Sequence, residues 1–470
     1  MRKTKIVCTI GPASETEAVI TGLCLAGMNV ARMNFSHNEH PDHLRRINLV
    51  KKVRDKLRLP VAIMLDTKGP EYRIGVFEDG KITLKDGDRF TFTTQRIIGN
   101  ENRVSVSYEG LPQELSIGDT VLLNNGLLIF KVESVEGTDI HCRVECGGEL
   151  SNRKSMSFPG HVMKREYLSE QDKADILFGV EQGVDYIACS FISGKQDLID
   201  VHSFLREHNA DHIELIAKIE NQSGFDNIDE ICEYCDGIMI ARGDMGVEIP
   251  FEQMPAIQKK LITKCRMLGK RVITATEMLE SMVHNPRPTR AEISDVANAV
   301  YDGTSAIMLS GETAAGKYPV EAVKVMSKIA ETTEGNIDYK KRFHNYEFKI
   351  KNTVDAISHA TCGMAIDIGA KAIVACSLSG MTARMVSRFR SPVDIIGLTT
   401  DENTYRKLAL SWGVTPAICE KFTSTDVLFY TAKKQAESIM DLEKGDRIVI
   451  TGGDTSGTSG NTNLIKVELI

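Results

Sequence analysis

Short apolar runs at 5–10, 29–34 and 61–66 alternate with amphipathic stretches at about 14–27 and 39–57. Brief apolar runs bounded by turn formers predict buried strands, and the 3.6-residue spacing between them predicts helices. That strand–helix–strand rhythm belongs to a parallel sheet. From about 70 to 168 it gives way to short alternating segments broken by Glu78-Asp-Gly-Lys81, Lys85-Asp-Gly-Asp88 and Asn124-Asn-Gly126. Those are hairpin turns, so this stretch is expected to be a small β domain. Alternation resumes near Ser169, with strand-like runs at 186–190, 214–219, 237–241, 271–276 and 305–310. Three strands before the interruption and five after it make eight, and roughly 240 residues outside the insert suit a (β/α)8 barrel.

The predicted architecture is therefore α/β. A TIM barrel (1–69 and 169–337) carries a small β-barrel lid (70–168) inserted after its third strand. After a Lys- and Asn-rich linker comes a C-terminal α/β domain (338–470), with strands near 372–377, 393–400, 446–453 and 463–469.

Composition narrows the function. Fifty-seven basic against 64 acidic residues leave a net charge of −7, which argues against a nucleic-acid polymer as partner because phosphate-backbone binding needs concentrated Lys and Arg. A single Trp among few aromatics offers no stacking platform for single strands. No run approaches the ~18 apolar residues of a membrane span. The opening Met1-Arg-Lys-Thr-Lys5 leads into too short an apolar run for a secretory signal. The expected location is cytoplasmic. Eleven cysteines, an odd number without such a signal, read as reduced thiols. The pairs Cys232/Cys235 and Cys142/Cys146 lack the matching pair or His tail of a zinc site and read as structural.

Chemistry in such a barrel gathers at the carboxyl ends of the strands. The polar residues closing the runs are Asn34 with Ser36, Asp66 with Thr67, Ser190, Lys218 with Glu220, Asp244, Thr276 and Ser310. Any one could be a turn former, yet together they converge on one rim. Lys218 and Glu220, two apart, point the same way. With Asp244, Glu220 makes two carboxylates, too few to cage a divalent ion but suited to Mg2+, which completes its shell with water and substrate oxygens. Asn34, Ser36, Asp66 and Thr67 offer mostly neutral oxygens, suited to a monovalent cation. Ala241-Arg-Gly-Asp-Met-Gly246 leaves a strand through two glycines, a place for an anion near free amides. Arg32 and Arg73 flank the rim and suit phosphate. Gly311-Glu-Thr-Ala-Ala-Gly-Lys317 imitates a phosphate loop, but Tyr318 stands where the Mg2+-binding hydroxyl belongs, so a turn after strand eight is expected there.

Cys8-Thr-Ile-Gly-Pro12, Asn29-Val-Ala-Arg-Met-Asn-Phe-Ser-His37, Leu65-Asp-Thr-Lys-Gly-Pro-Glu71, Lys218-Ile-Glu-Asn221, Ala241-Arg-Gly-Asp244, Thr274-Ala-Thr-Glu-Met278, Asn285-Pro-Arg-Pro-Thr-Arg-Ala-Glu292 and Met308-Leu-Ser-Gly-Glu-Thr313 resemble, in order, the motifs of pyruvate kinases. The likeness is to the short bacterial form without an appended phosphotransferase-like domain. It implies phosphoryl transfer from phosphoenolpyruvate to ADP, giving pyruvate and ATP, with Mg2+ and K+ as cofactors and a homotetrameric assembly. By matching position, Lys218, Thr276 and Arg32 would be catalytic. Arg32, Lys218, Gly243, Asp244 and Thr276 would bind the three-carbon substrate, and Asn34, His37, Arg73 and Lys154 the nucleotide. Glu220 and Asp244 would hold Mg2+; Asn34, Ser36, Asp66 and Thr67 would hold K+. Glu71 is the family's mark of a potassium requirement.

Some positions depart from the family pattern. Tyr72 interrupts the usual Glu-Ile-Arg, and 155–160 reads Ser-Met-Ser-Phe-Pro-Gly, which alters the loop beside Lys154. Ser305 replaces an Asp. The family often binds a phosphorylated effector in the C-terminal domain, and Ser377, Ser379, Gly380 and Thr382 form a hydroxyl-rich nest there, with 452–460 as a second loop over it. Met381 stands where a basic residue is common, which weakens the case for fructose 1,6-bisphosphate. Two competing functions remain: a Mg2+-dependent barrel lyase acting on 2-oxo acids, which needs neither Lys218 nor a lid, and a catalytically silent metabolite sensor.

Overall fold

The computed structural model describes residues 1–161, 163–164, 166–422, 424–453 and 461–470. Eight parallel strands close a barrel in sequential order: β1 (Lys5–Thr9), β2 (Val30–Asn34), β3 (Ala62–Asp66), β4 (Tyr186–Cys189), β5 (Glu214–Ile219), β6 (Gly237–Ala241), β7 (Arg271–Ala275) and β8 (Ala306–Leu309). Alternation along the strands makes two cores. Ile6, Cys8, Ile63, Leu65, Ile187 and Ile219 face the surrounding helices. Val7, Val30, Met64, Tyr186, Ile216, Met239 and Ile273 fill the barrel's interior, with Leu410 of the C-terminal domain joining them. The helices start on capping residues: Thr16 accepts from the Val19 amide, and Ser169/Asp172 and Thr289/Glu292 form reciprocal capping boxes.

Between β3 and β4 the chain builds a separate sheet with its own core. Phe90, Phe92 and Phe130 form its centre, the Phe92 and Phe130 rings meeting edge-on at 5.1 Å. Seven strands make this sheet and two more, Lys81–Leu84 and Gly148–Ser151, pair beside it. The expected small barrel is not a fully hydrogen-bonded one. Its edge strands, Tyr72–Arg73 and Arg103–Ser105, meet through a single bridge between Ile74 and Val106. The two-residue strand at 72–73 is too short to complete a ladder. The insert departs at Gly69, whose φ is +66° and where a Cβ would lie 2.8 Å from the Ser190 Cβ. Glycine is therefore the residue this close passage admits.

The C-terminal domain is a five-stranded sheet, β9 (Ala372–Cys376), β10 (Asp394–Thr399), β11 (Val414–Ile418), β12 (Arg447–Gly452) and β13 (Leu464–Leu469), ordered β11-β10-β9-β12-β13 with β13 antiparallel. The sequence pattern predicts four of these. It misses β11 because Pro416 lies in its middle, which argues against a strand except at a sheet edge, where β11 sits. This domain clasps the amino-terminal end of the barrel. Arg271 of the barrel donates to Ser411 Oγ at 3.2 Å, Arg384 reaches Glu214 and Asp236 at 3.3 Å each, and Arg406 meets Asp185 at 2.8 Å. Lys5 donates to the Val414 carbonyl at 2.6 Å. The active-site end of the barrel stays open toward the lid.

Candidate active site

The strand ends meet around one buried carboxylate. Asp66, closing β3, takes Arg32 Nε on one oxygen at 2.5 Å and Lys218 Nζ on the other at 3.0 Å. Lys218 also meets Glu220 Oε1 at 3.1 Å and donates to Ser190 Oγ at 2.6 Å. Arg32 donates to Thr9 Oγ1 at 2.8 Å. Burial raises the pKa of Asp66, but Arg32 and Lys218 outweigh it and hold the carboxyl below its ordinary value. For Lys218 burial acts downward, yet Asp66 and Glu220 lift the ammonium above its ordinary value. The lysine therefore stays charged while three ligands fix its direction. Burial pushes Glu220 up to about 7, Lys218 opposes, and Asp244 and Asp66 push further. Glu220 Oε2 accepts the Phe191 amide at 2.6 Å, from a residue held at φ +56°.

The predicted residues fall into three groups. Arg32, Asp66, Thr67, Lys218 and Glu220 are buried together, and Asn34 lies beside Asp66 in the β2–β3 register. Asn34 Oδ1 accepts the Ser36 amide at 3.2 Å, and Thr67 donates to the Ala188 carbonyl at 3.3 Å. Asp244 is exposed, on the short helix Arg242–Glu248. Thr276 follows β7 at φ +67°; its Oγ1 accepts the Gly243 amide at 2.8 Å and donates to the Ala275 carbonyl at 2.6 Å. The Gly243 amide, expected to be free, is thus occupied by Thr276.

The nucleotide candidates are more scattered. His37 is exposed, with its carbonyl accepting from His43 at 2.9 Å. Arg73 on the lid pairs with Glu71 at 2.6 Å and donates to the Arg153 carbonyl at 2.7 Å. Lys154, half-buried, accepts the Ile74 amide on its carbonyl. The segment 311–317 is a helical turn, Gly311–Ala314, rather than a plain one. Glu312 accepts the Ser310 amide at 2.7 Å and the Leu279 amide at 3.0 Å.

Ser190, named among the rim residues but given no role, takes Lys218, and two further contributors escape the sequence reading. Thr9 closes β1, and its only signal is a hydroxyl at the end of an apolar run. Glu248 has no signal at all. It lines a cleft of about 150 Å³ between lid and barrel, along with Tyr72, Phe158, His161, Asn221 and Asp244. The Phe158 amide of the lid points at its carboxylate. One residue earlier, Val247 meets the lid hairpin tip, lying 3.5 Å from where a Cβ on Gly126 would be. The helix that carries Asp244 is therefore also the seat of the lid.

Comparison with known proteins decides the family. Residues 1–323 match the family model for the pyruvate kinase barrel domain, and 355–468 that for the pyruvate kinase alpha/beta domain. The chain belongs to the pyruvate kinase family. A pyruvate kinase of Clostridium acetobutylicum is 47% identical over 472 residues, covering all of both chains. One from Geobacillus stearothermophilus is 47% identical over 472 residues, covering all of this chain and 80% of its own. The crystal structure of a pyruvate kinase from Cryptosporidium parvum superposes with a TM-score of 0.94 at 37% identity, covering all of this chain and 96% of that one. Family membership accounts for the barrel and the C-terminal domain. Among the described residues, no helix is long and apolar enough to cross a membrane.

The seat of the lid can be tested. Burial pushes the Glu248 carboxyl up to about 7, while the Phe158 amide and His161, itself paired with Asp119, draw it down. Opening the cleft would return it toward the ordinary carboxylate value. The seated state then holds the extra proton, so seating is strongest below the ordinary carboxylate range, weakens as pH rises from there to about 7, and is constant above that. Glu248→Ala is expected to speed hydrogen exchange at the Phe158 amide by roughly tenfold, the worth of one hydrogen bond. Barrel-strand protection should not change. Glu248→Gln, which accepts but does not titrate, should lose the pH dependence relative to wild type. Unchanged exchange in Glu248→Ala would disprove the seat.

Proposed function

We propose that this chain is a pyruvate kinase in the full sense, passing the phosphoryl group of phosphoenolpyruvate to ADP. The observation that carries this reading is the Lys218 ammonium, charged, buried and aimed by Asp66, Glu220 and Ser190 at 2.6–3.1 Å. Phosphoryl transfer needs charge neutralisation and alignment more than covalent help from the protein. Lys218 and Arg32 place two fixed cations where the phosphate of an enol phosphate would sit. The phosphorus–oxygen bond to the enol oxygen breaks, that oxygen keeps the electron pair, and an oxygen of ADP forms the new bond. The resulting enolate takes a proton at its terminal carbon. Thr276, at the rim beside Gly243, holds a hydroxyl suited to relay that proton from water.

Glu220 and Asp244 fit a divalent ion. Burial raises Glu220 and the charge of Asp244 adds to it, and a cation beside Glu220 would relieve that. Among the described residues no cluster of three or more His, Cys, Asp or Glu side chains could hold a metal. Mg2+ would therefore take the rest of its shell from substrate and water, where it neutralises phosphate charge. Asn34, Ser36, Asp66 and Thr67 fit potassium less completely, because both Asp66 oxygens already bind Arg32 and Lys218; the neutral oxygens would supply most of the contacts. Asn34, His37, Arg73 and Lys154 would face the nucleotide. With the lid seated on Glu248 and Val247, the cleft would exclude water, which otherwise competes for the phosphoryl group. A lyase acting on 2-oxo acids would have no use for that lid or for a clamped lysine.

In the C-terminal domain, Gly380 at φ +77° starts a helix, and Ser377 Oγ accepts the Thr382 amide at 3.4 Å. Thr382 is buried and shares a 2.7 Å hydrogen bond with Thr462, while Ser379 is exposed. A phosphorylated effector would draw on Ser377, Ser379 and the Gly380 turn, with Thr382 first giving up Thr462. Residues 454–460 of the second expected loop lie outside the described residues.

Pyruvate formation with phosphoenolpyruvate, ADP, Mg2+ and K+, followed through coupled lactate dehydrogenase, should proceed with one ATP per pyruvate. Lys218→Met should lower kcat by about 10²–10³-fold or more; near-wild-type turnover would remove the assignment. Replacing K+ by Na+ or tetramethylammonium at constant ionic strength should depress the rate, and full activity without K+ would refute the monovalent site. Sugar phosphates or AMP should lower the half-saturating phosphoenolpyruvate concentration in wild type but not in Ser379→Ala; indifference to all of them would end the effector proposal.

A further inference from the structure

At the opposite end of the barrel, where it meets the C-terminal domain, five cations line one small cavity: Lys270, Arg271, Arg384, Arg388 and Arg390. Its volume is about 10 Å³, room for a single atom-sized occupant. Three of these cations have acidic partners. Arg271 and Arg384 share Glu214, Arg384 also reaches Asp236, and Arg388 meets Asp355 at 3.2 Å. Arg390 and Lys270 have no carboxylate within ion-pair distance among the described residues. Arg390 donates only to neutral oxygens, the carbonyls of Ser387 and Gly303 and the hydroxyls of Ser305 and Ser387, and stacks over Trp412 at 4.7 Å. Lys270 donates to the Cys235 carbonyl.

The cluster is deeply buried. Arg384, Arg388 and Arg390 are 9%, 5% and 3% exposed. The Nε atom of each lacks a hydrogen-bond partner among the described residues. Burial, reinforced by Arg266 and Arg342 and opposed by Tyr339, pulls Arg390 down to about 9. Buried donors and buried charge both call for a counter-group. Water would satisfy the donors but leave the charge; a small anion satisfies both.

We propose that this cavity is a binding site for a monatomic anion of halide size, seated among Arg384, Arg388 and Arg390 and fastening the C-terminal domain to the barrel base. The cavity is too small for a phosphate or sulfate without rearrangement, and it lies away from the phosphoryl-transfer site, so the proposal stands whether or not that activity is found. An anion here supplies negative charge that no carboxylate brings to Arg390 and lets the two domains share one positively charged seam.

The full chain would be unfolded thermally in potassium gluconate replaced stepwise by potassium chloride at constant ionic strength, and crystals would be soaked in bromide. The midpoint should rise by roughly 1–3 °C with chloride, and anomalous scattering should show bromide beside Arg384, Arg388 and Arg390. Arg390→Met should abolish the chloride response, since it removes the uncompensated charge. Arg388→Lys, a milder change that keeps the charge, should weaken it. If Arg390→Met does not fold, the bromide peak in the wild-type protein decides. No bromide peak, a midpoint indifferent to halide, or equal stabilisation by sulfate with no bromide peak would leave only water in the cavity and overturn the proposal.

Discussion

A single buried carboxylate organises the catalytic end of this molecule. Asp66 has no solvent exposure, and its two oxygens are divided between Arg32 and Lys218. Burying three charges is unfavourable unless geometry and hydrogen bonding compensate. Here Thr9, Ser190 and Glu220 provide the compensation. Each comes from a different strand, so closing the barrel is what assembles the cluster. The interaction works in both directions: the barrel brings the charges together, and the charges pin the strand ends to one another. A cation held this way is oriented in advance by the fold, at no further cost when it meets a partner.

The remaining carboxylates are arranged differently. Glu220 is buried and elevated, whereas Asp244 is exposed on a short helix that also touches the lid. One group is fixed by the barrel and the other sits on a helix that touches the lid. The same short helix opens onto a second cavity of about 820 Å³, with Asn125, Asp244 and Val247 common to both spaces. A helix of seven residues thus carries both Asp244 and the residue that meets the lid hairpin.

Much of this was legible in the sequence because it is local. Apolar runs named all eight barrel strands, and the polar residues closing them named Arg32's neighbours, Asp66, Lys218 and Glu220. What escaped detection depends on distant partners or on residues that defy propensity. Pro416 hid β11, since nothing local says that its strand is an edge. The two-residue strand at Tyr72–Arg73 left the lid short of a closed barrel. Glu248 looks like any helical glutamate until the lid's Phe158 lies over it. The arginine seam is the clearest case: Arg384 and Glu214 are 170 positions apart, and Arg271 and Ser411 are 140 apart. Charge totals could not reveal it, because a net of −7 averages over a region that is locally cationic.

The lid's place in the chain has a consequence for how the molecule folds. β3 and β4 are hydrogen-bonded neighbours, yet the insert separates them by roughly a hundred residues of loop, whose closure as a free coil would carry a substantial entropic penalty. The insert has its own aromatic core, so it can collapse first and bring its two ends together. A barrel closing after that would have only a short connection to span. Assembly in that order would make the insert a folding aid for the β3–β4 seam.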